Sequence, residues 1–214
     1  MEKYNFGKGK NESLDFKDWY EGEFLDGEYH GYGISKYPDG SKYEGQWKNG
    51  EKNGKGKLFS PNGDVYEGEF KDGYFHGKGE CKYIDGTEYN GEFILGEYSG
   101  KGIHTYMDGS KYDGEFKNGQ PNGIGNFSKL DGTKYHGEFK DGKFCGKGKN
   151  TFPDGTIYNG LFNNGQPEGA GILIFPSGGK LVGEFKKLKP WNGKEFDNEG
   201  NLVSEYVNGK ISKL

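Results

Sequence analysis

The sequence predicts an all-β protein: an elongated, single-layer antiparallel β-hairpin solenoid, forming a twisted and curved ribbon. Three observations carry this. A 23-residue unit opens at Tyr20, Tyr43, Tyr66, Tyr89, Tyr112, Tyr135 and Tyr158 without a break in register, and Leu181 opens a degenerate eighth copy. A fixed period in the twenties marks stacked supersecondary units. Within the unit, glycine holds offset two and an aromatic ring holds offset four in all eight copies, counting the opening residue as offset zero. Apolar residues at the 3.6-residue spacing of a helix do not survive the glycines.

Each element follows from that unit. The opening segment, such as YEGEF at Tyr20–Phe24, places tyrosine, glycine and phenylalanine on one strand face and glutamates on the other. Six copies carry the outward glutamate at offset three: Glu23, Glu69, Glu92, Glu115, Glu138 and Glu184. This row reads as a solvated or salt-bridged stripe. Next comes a tight turn, KDG or KNG, whose glycine supplies a positive φ. A second strand follows, with glycines at offsets eleven and thirteen, and a PDG-like turn leads into the next copy. Glycine weakens a strand, so these strand glycines are expected to make room for aromatic rings lying across the backbone.

Three segments result: residues 1–19 as a degenerate N-terminal capping half-repeat and connection, 20–180 as seven regular repeats, and 181–214 as a degenerate C-terminal repeat and cap. Stacked arrays need such atypical ends.

Composition agrees with a thin, ordered structure. Hydrophobic residues make up 30% of the chain, yet it holds 16 Tyr, 16 Phe, 3 Trp and 42 Gly. Disordered chains are poor in aromatics, so a narrow core of rings and glycine is the better reading. The net charge of −4 comes from 29 basic and 33 acidic residues with no basic block. Nucleic acid is therefore not an expected partner. Cys81 and Cys145 fall at different offsets of distant repeats, too far apart to bridge, which fits a reducing compartment. The start lacks an apolar signal region, and no apolar run approaches membrane-span length.

No constellation for catalysis or metal binding emerges. His30, His76, His104 and His136 lack ligand spacing, and neither cysteine has a partner motif. The glutamates recur once per repeat, wide for a shared-proton pair. The HGYG and HGKG steps are not phosphate-binding loops. The chain is read as a non-enzyme needing no metal and no cofactor.

The unit resembles the MORN (membrane occupation and recognition nexus) repeat, YxGxWxxGxxHGxGxxxxxDG; repeat three reads YEGEFKDGYFHGKGECKYIDG. Only Trp47 keeps the family tryptophan, and His30 and His76 match its histidine. The resemblance implies a binding or scaffold role on an antiparallel ribbon. Family members include junctophilins, radial spoke head proteins, protist cytoskeletal scaffolds and adaptors for a myosin tail. The expected function is a protein-binding scaffold or adaptor whose partner is a helix or an extended segment. Tyr43, Trp47, Tyr66, Phe70, Tyr89, Phe93, Tyr112, Phe116, Tyr135 and Phe139 would line its curved aromatic groove, while also forming the spine. The alternatives are a peripheral membrane module binding anionic phospholipid through Lys48, Lys71, Lys117 and Lys140, or a self-associating homo-oligomer. The expected location is the cytoplasm, at the cytoskeleton or the inner face of a membrane.

Overall fold

The computed structural model describes residues 6–12 and 19–213. It contains nineteen strands and no helix among these residues. The chain divides into two compact units, Met1–Met107 and Asp108–Leu214.

In the first unit the opening strands of repeats one to four are Trp19–Leu25, Lys42–Lys48, Val65–Lys71 and Glu88–Ile94. Their return strands are Glu28–Lys36, Glu51–Phe59, Tyr74–Lys82 and Glu97–Thr105. Phe6–Glu12 pairs with the first opening strand through Gly9↔Gly22. The connection expected at 13–18 lies outside the described residues. In the second unit the opening strands of repeats five to eight are Lys111–Lys117, Lys134–Lys140, Ile157–Asn163 and Lys180–Lys186. The return strands are Gln120–Ser128, Lys143–Thr151, Gln166–Ile174 and Lys189–Phe196. Leu202–Val207 and Lys210–Lys213 add a last hairpin.

The hairpin tips explain their sequence. At Asp26–Gly27 both residues have positive φ, 54° and 86°, as a two-residue type I′ turn demands, and Asn-Gly or Asp-Gly recurs at most later tips. The eighth repeat departs from this: Lys187 and Leu188 adopt φ of 51° and 64° without a glycine. A branched side chain there is strained. The other end of most hairpins closes with an Asx turn; in the first repeat the Asp39 carboxylate accepts the Ser41 hydroxyl at 2.7 Å and its amide at 2.8 Å. Those two bonds hold Asp39 below the usual carboxylate range.

A ladder of glycines crosses each unit, Gly22↔Gly33↔Gly45↔Gly56↔Gly68↔Gly79↔Gly91↔Gly102 in the first. The opening tyrosine of each regular repeat lies over this floor. A Cβ on Gly102 would sit 2.5 Å from the Tyr89 hydroxyl oxygen and 2.7 Å from its ring carbon Cζ. The space reading of the glycines at offsets two and thirteen therefore holds. At offset eleven it needs correction. Gly31 has φ +62° and sits in a bulge, because Gly22 faces Gly33 whereas Glu23 already faces His30. There glycine is required by backbone conformation first, and by space second.

The core is a single layer of rings on the glycine side of the sheet. Tyr66 meets Phe70 of its own repeat edge-on at 5.0 Å and Phe93 of the next at 5.2 Å. Tyr135 repeats the arrangement with Phe139 at 5.2 Å and Phe162 at 4.9 Å. Edge-to-face pairs of this kind add about 0.5–1.5 kcal/mol each beyond the area they bury.

Candidate interaction surface

The ten rings expected to line an open groove are all in the packed interior, none more than 6% exposed. A layer of rings should leave one side open, so the cover over it decides the matter. Residues at offset nine of the return strands supply that cover. Tyr29, Phe75, Tyr98 and Phe144 stack flat on Tyr20, Tyr66, Tyr89 and Tyr135 at 3.6–3.8 Å between centroids. These four opening tyrosines are thus sandwiched between bare glycine backbone and a second ring. In repeat two Lys52 takes the offset, its Nζ 5.5 Å from the Tyr43 ring and 4.9 Å from that of Tyr37. Pro121 and Pro167 hold it in repeats five and seven. The groove assignment of these ten residues is corrected accordingly: they build the spine, and a ligand would reach their ring faces only by opening it.

The phenol groups belong to the same spine. Each opening tyrosine donates its hydroxyl to the carbonyl three residues on, as in Tyr66 to Glu69 at 2.7 Å and Tyr112 to Glu115 at 2.9 Å. A buried hydroxyl with no partner would be costly. Burial pushes the Tyr20 phenol up to about 12 and raises Tyr43, Tyr66, Tyr89 and Tyr135 in the same direction. These groups stay neutral and offer no acid–base chemistry near neutral pH. Burial likewise pushes the Cys81 thiol up to about 11, which makes it a poor nucleophile.

The glutamate row has a structural duty that a solvated stripe would not have. In repeats two, four, five and six the offset-three side chain accepts the backbone amide at offset twelve, across the bulge. Glu138 Oε1 takes the Lys147 amide at 2.9 Å, and Gln46 Oε1 takes that of Lys55 at 2.7 Å. Leu161 breaks the row in repeat seven.

The exposed surface is the opposite sheet face, at odd offsets of the opening strands and even offsets of the return strands. Lys48, Lys71, Lys117 and Lys140 all lie on it, exposed, at the ends of the opening strands. Neighbouring side chains there are mixed in charge, with Lys57–Glu67 paired at 2.9 Å and Lys82–Glu80 at 3.4 Å. A depression of about 650 Å³ runs over the bare glycines Gly45, Gly56 and Gly68, walled by Tyr32, Lys55, Glu67 and Lys78. Among the described residues no group of three or more His, Cys, Asp and Glu side chains could hold a metal ion, and no helix is long and apolar enough to cross a membrane.

A ring-and-glycine spine repeated every 23 residues, with one side-chain face left to solvent, defines a repeat-built β-sheet protein. The family model for the MORN repeat matches residues 20–42, 43–65, 66–88, 89–111, 112–134, 135–157 and 158–180. The chain belongs to the MORN repeat family. It is similar to Alsin of Homo sapiens and of Mus musculus, 44% identical over 43 residues, which cover 20% of this chain and 3% of Alsin. The chain thus spans a small part of the length of these curated relatives. Among solved structures it is similar to the TCP domain of SAS-4 (dCPAP) of Drosophila melanogaster in complex with a proline-rich motif of Ana2 (dSTIL). That likeness has 13% identity and a TM-score of 0.40, and covers 75% of this chain and 83% of that one. The wild-type TCP10 domain of Danio rerio CPAP in complex with a STIL peptide is similar at 15% identity and a TM-score of 0.30, over 94% and 99% of the two chains.

Proposed function

We propose that this chain is a non-enzymatic, intracellular scaffold that binds proteins through the exposed sheet face. The observation that carries the reading is the division of labour between the two faces. The rings at offsets zero and four are buried in the spine, whereas the opposite face presents exposed side chains to a partner. These differ from copy to copy: offset fourteen holds Lys57, Glu80, Asn126, Lys149 and Ile172 in different repeats. A regular backbone with changing side chains is how stacked repeats present extended binding surfaces. Buried neutral phenols and a buried thiol give no activated group on which to base a reaction.

The membrane reading draws on the exposed positions of Lys48, Lys71, Lys117 and Lys140. Acidic neighbours such as Asp72 and Asp141 dilute that charge, and anionic lipid rewards net positive clusters.

Photoactivatable groups at the exposed positions Lys55, Lys101 and Lys147 test the proposal in source lysate. Protein adducts are expected from all three, and they should persist after Lys48, Lys71, Lys117 and Lys140 are replaced by serine. The opposing result is pelleting with phosphatidylserine vesicles, lost in high salt and in the serine variant, together with no protein adduct. That pattern would replace the scaffold reading with the membrane one.

A further inference from the structure

The exposed face of the second unit changes chemistry in repeats seven and eight. Leu161, Ile172 and Val182 occupy places where repeats two and three carry Gln46 or Glu69, Lys57 or Glu80, and Glu44 or Glu67, and Ile174 the place of Phe59 or Lys82. The register sets Ile157 opposite Ile174 and Ile172 opposite Val182, and Leu161 lies on the same strand as Asn159, the other partner of Ile172. The four side chains are 37–38% exposed, so they are open to a ligand but sunk among their neighbours. Nothing in the spine requires them, because Tyr158, Phe162, Leu181 and Phe185 fill the other face of the same strands.

Lysines border this patch on both sides. Lys147 faces Leu161 and Lys149 faces Asn159 on one border, while Lys180 faces Ile174 and Lys194 faces Val182 on the other. On the second border a depression of about 410 Å³ has Val182 and Phe196 as its apolar lining beside Lys180 and Lys194. That volume suits one large apolar side chain with a carboxylate next to it. Of the nearby acids, Glu138 accepts the Lys147 amide, Glu168 accepts Asn163, Glu184 accepts Asn192, and Glu195 accepts Ser204 and Tyr206, while Glu205 pairs with Lys194 at 3.4 Å through exposed side chains, a pair that a partner carboxylate would have to displace.

Resting on the scaffold reading above, we infer that this patch docks a partner segment in which Leu, Ile or Phe alternate with Asp or Glu. Its apolar side chains cover Leu161, Ile172, Ile174 and Val182, and its carboxylates reach the lysines of the two borders. Charge complementarity selects this occupant. A second copy of the chain would bring lysine borders against lysine borders when its own patch was apposed. A bilayer needs apolar groups that project past the charges, whereas lysine stems here are longer than the half-sunk aliphatic side chains they flank.

The test is selection of random displayed peptides on the intact chain and on the Ile172→Lys/Val182→Glu variant. This exchange copies the cross-strand Lys57–Glu67 pair of repeats two and three, so the fold has a place for it. An unchanged circular dichroism spectrum and spine amide exchange verify that the variant is folded. The expected result is enrichment of acidic–apolar peptides by the intact chain, with affinity falling about thirty-fold in the variant, as for loss of a central apolar anchor. Lys149→Ser/Lys180→Ser should weaken the same peptides and flatten their salt dependence. The inference is overturned if the selected peptides are basic or uncharged, or bind the variant equally. It is also overturned if the intact chain selects none, dimerises in light scattering through the patch, or binds only phosphatidylserine vesicles. Protein adducts at Lys55 and Lys101 alongside any of these would leave the scaffold reading standing while the patch fails.

Discussion

Replacing Gly102 by valine is expected to destabilise the fourth repeat by about 3 kcal/mol or more, at the upper end of overpacking costs. The new Cβ alone falls 2.5–2.8 Å from three atoms of the Tyr89 side chain. That ring cannot retreat, because Tyr98 is stacked on its far side at 3.6 Å and Phe93 meets its edge at 5.1 Å. The hydroxyl is tied down too, donating to the Glu92 carbonyl at 2.9 Å. Gly7 is the control: a Cβ there meets nothing within 4 Å, and Gly7→Val should shift stability by no more than about 0.5 kcal/mol. Amide exchange over Glu88–Ile94 and Glu97–Thr105 reads the local loss in a repeat structure where a single global transition is not assured. Equal changes for the two variants would refute the role given to the glycine floor.

Phe93→Ala should cost about 3–5 kcal/mol, the usual range for removing a buried phenylalanine. Its ring is 1% exposed and touches Tyr89 and Tyr98 of its own repeat at 5.1 and 5.5 Å, and Tyr66 and Phe75 of the preceding one at 5.2 and 5.9 Å. The cavity would therefore lie at the junction of repeats three and four. Faster amide exchange should appear in both repeats, because nearest-neighbour contacts carry the stability of stacked units. Acceleration confined to repeat four would mean that the edge-on contacts across the junction contribute little.

Much of this fold was legible in the sequence because each regular feature recurs as a fixed letter. Tyrosine at offset zero, glycine at two and thirteen, and the ring at four gave the strands, their faces and their pairing. The Asn-Gly and Asp-Gly tips announced the turns. What stayed hidden was the cover of the spine at offset nine, filled by Tyr29, Lys52, Phe75, Tyr98, Pro121, Phe144 and Pro167. A ring, a proline ring and a lysine stem can all lie flat on a tyrosine, so packing does not fix one residue type and no letter pattern appears. Without that cover the spine looked half open, and ten of its rings were read as a groove. Gly31 and Gly33 hid a different distinction: one letter serves a left-handed bulge at the first and a ring lying on the backbone at the second. The bulge in turn explains the glutamate at offset three, whose bond to the offset-twelve amide is invisible until the register is known. The apolar patch of repeats seven and eight was readable in principle, as the place where charged offsets turn into Leu161, Ile172, Ile174 and Val182.

The central claim is that the rings at offsets zero and four are sealed in the spine, leaving recognition to the other face. Hydroxyl-radical footprinting of the free chain, read residue by residue by mass spectrometry, tests it most directly. Tyr32 and Tyr74, 56% and 57% exposed, should be oxidised readily, while Tyr43, Tyr66, Tyr89, Tyr112 and Tyr135, at most 3% exposed, should be protected. Oxidation of those five at the rate of Tyr32 would contradict the account and restore an open aromatic groove.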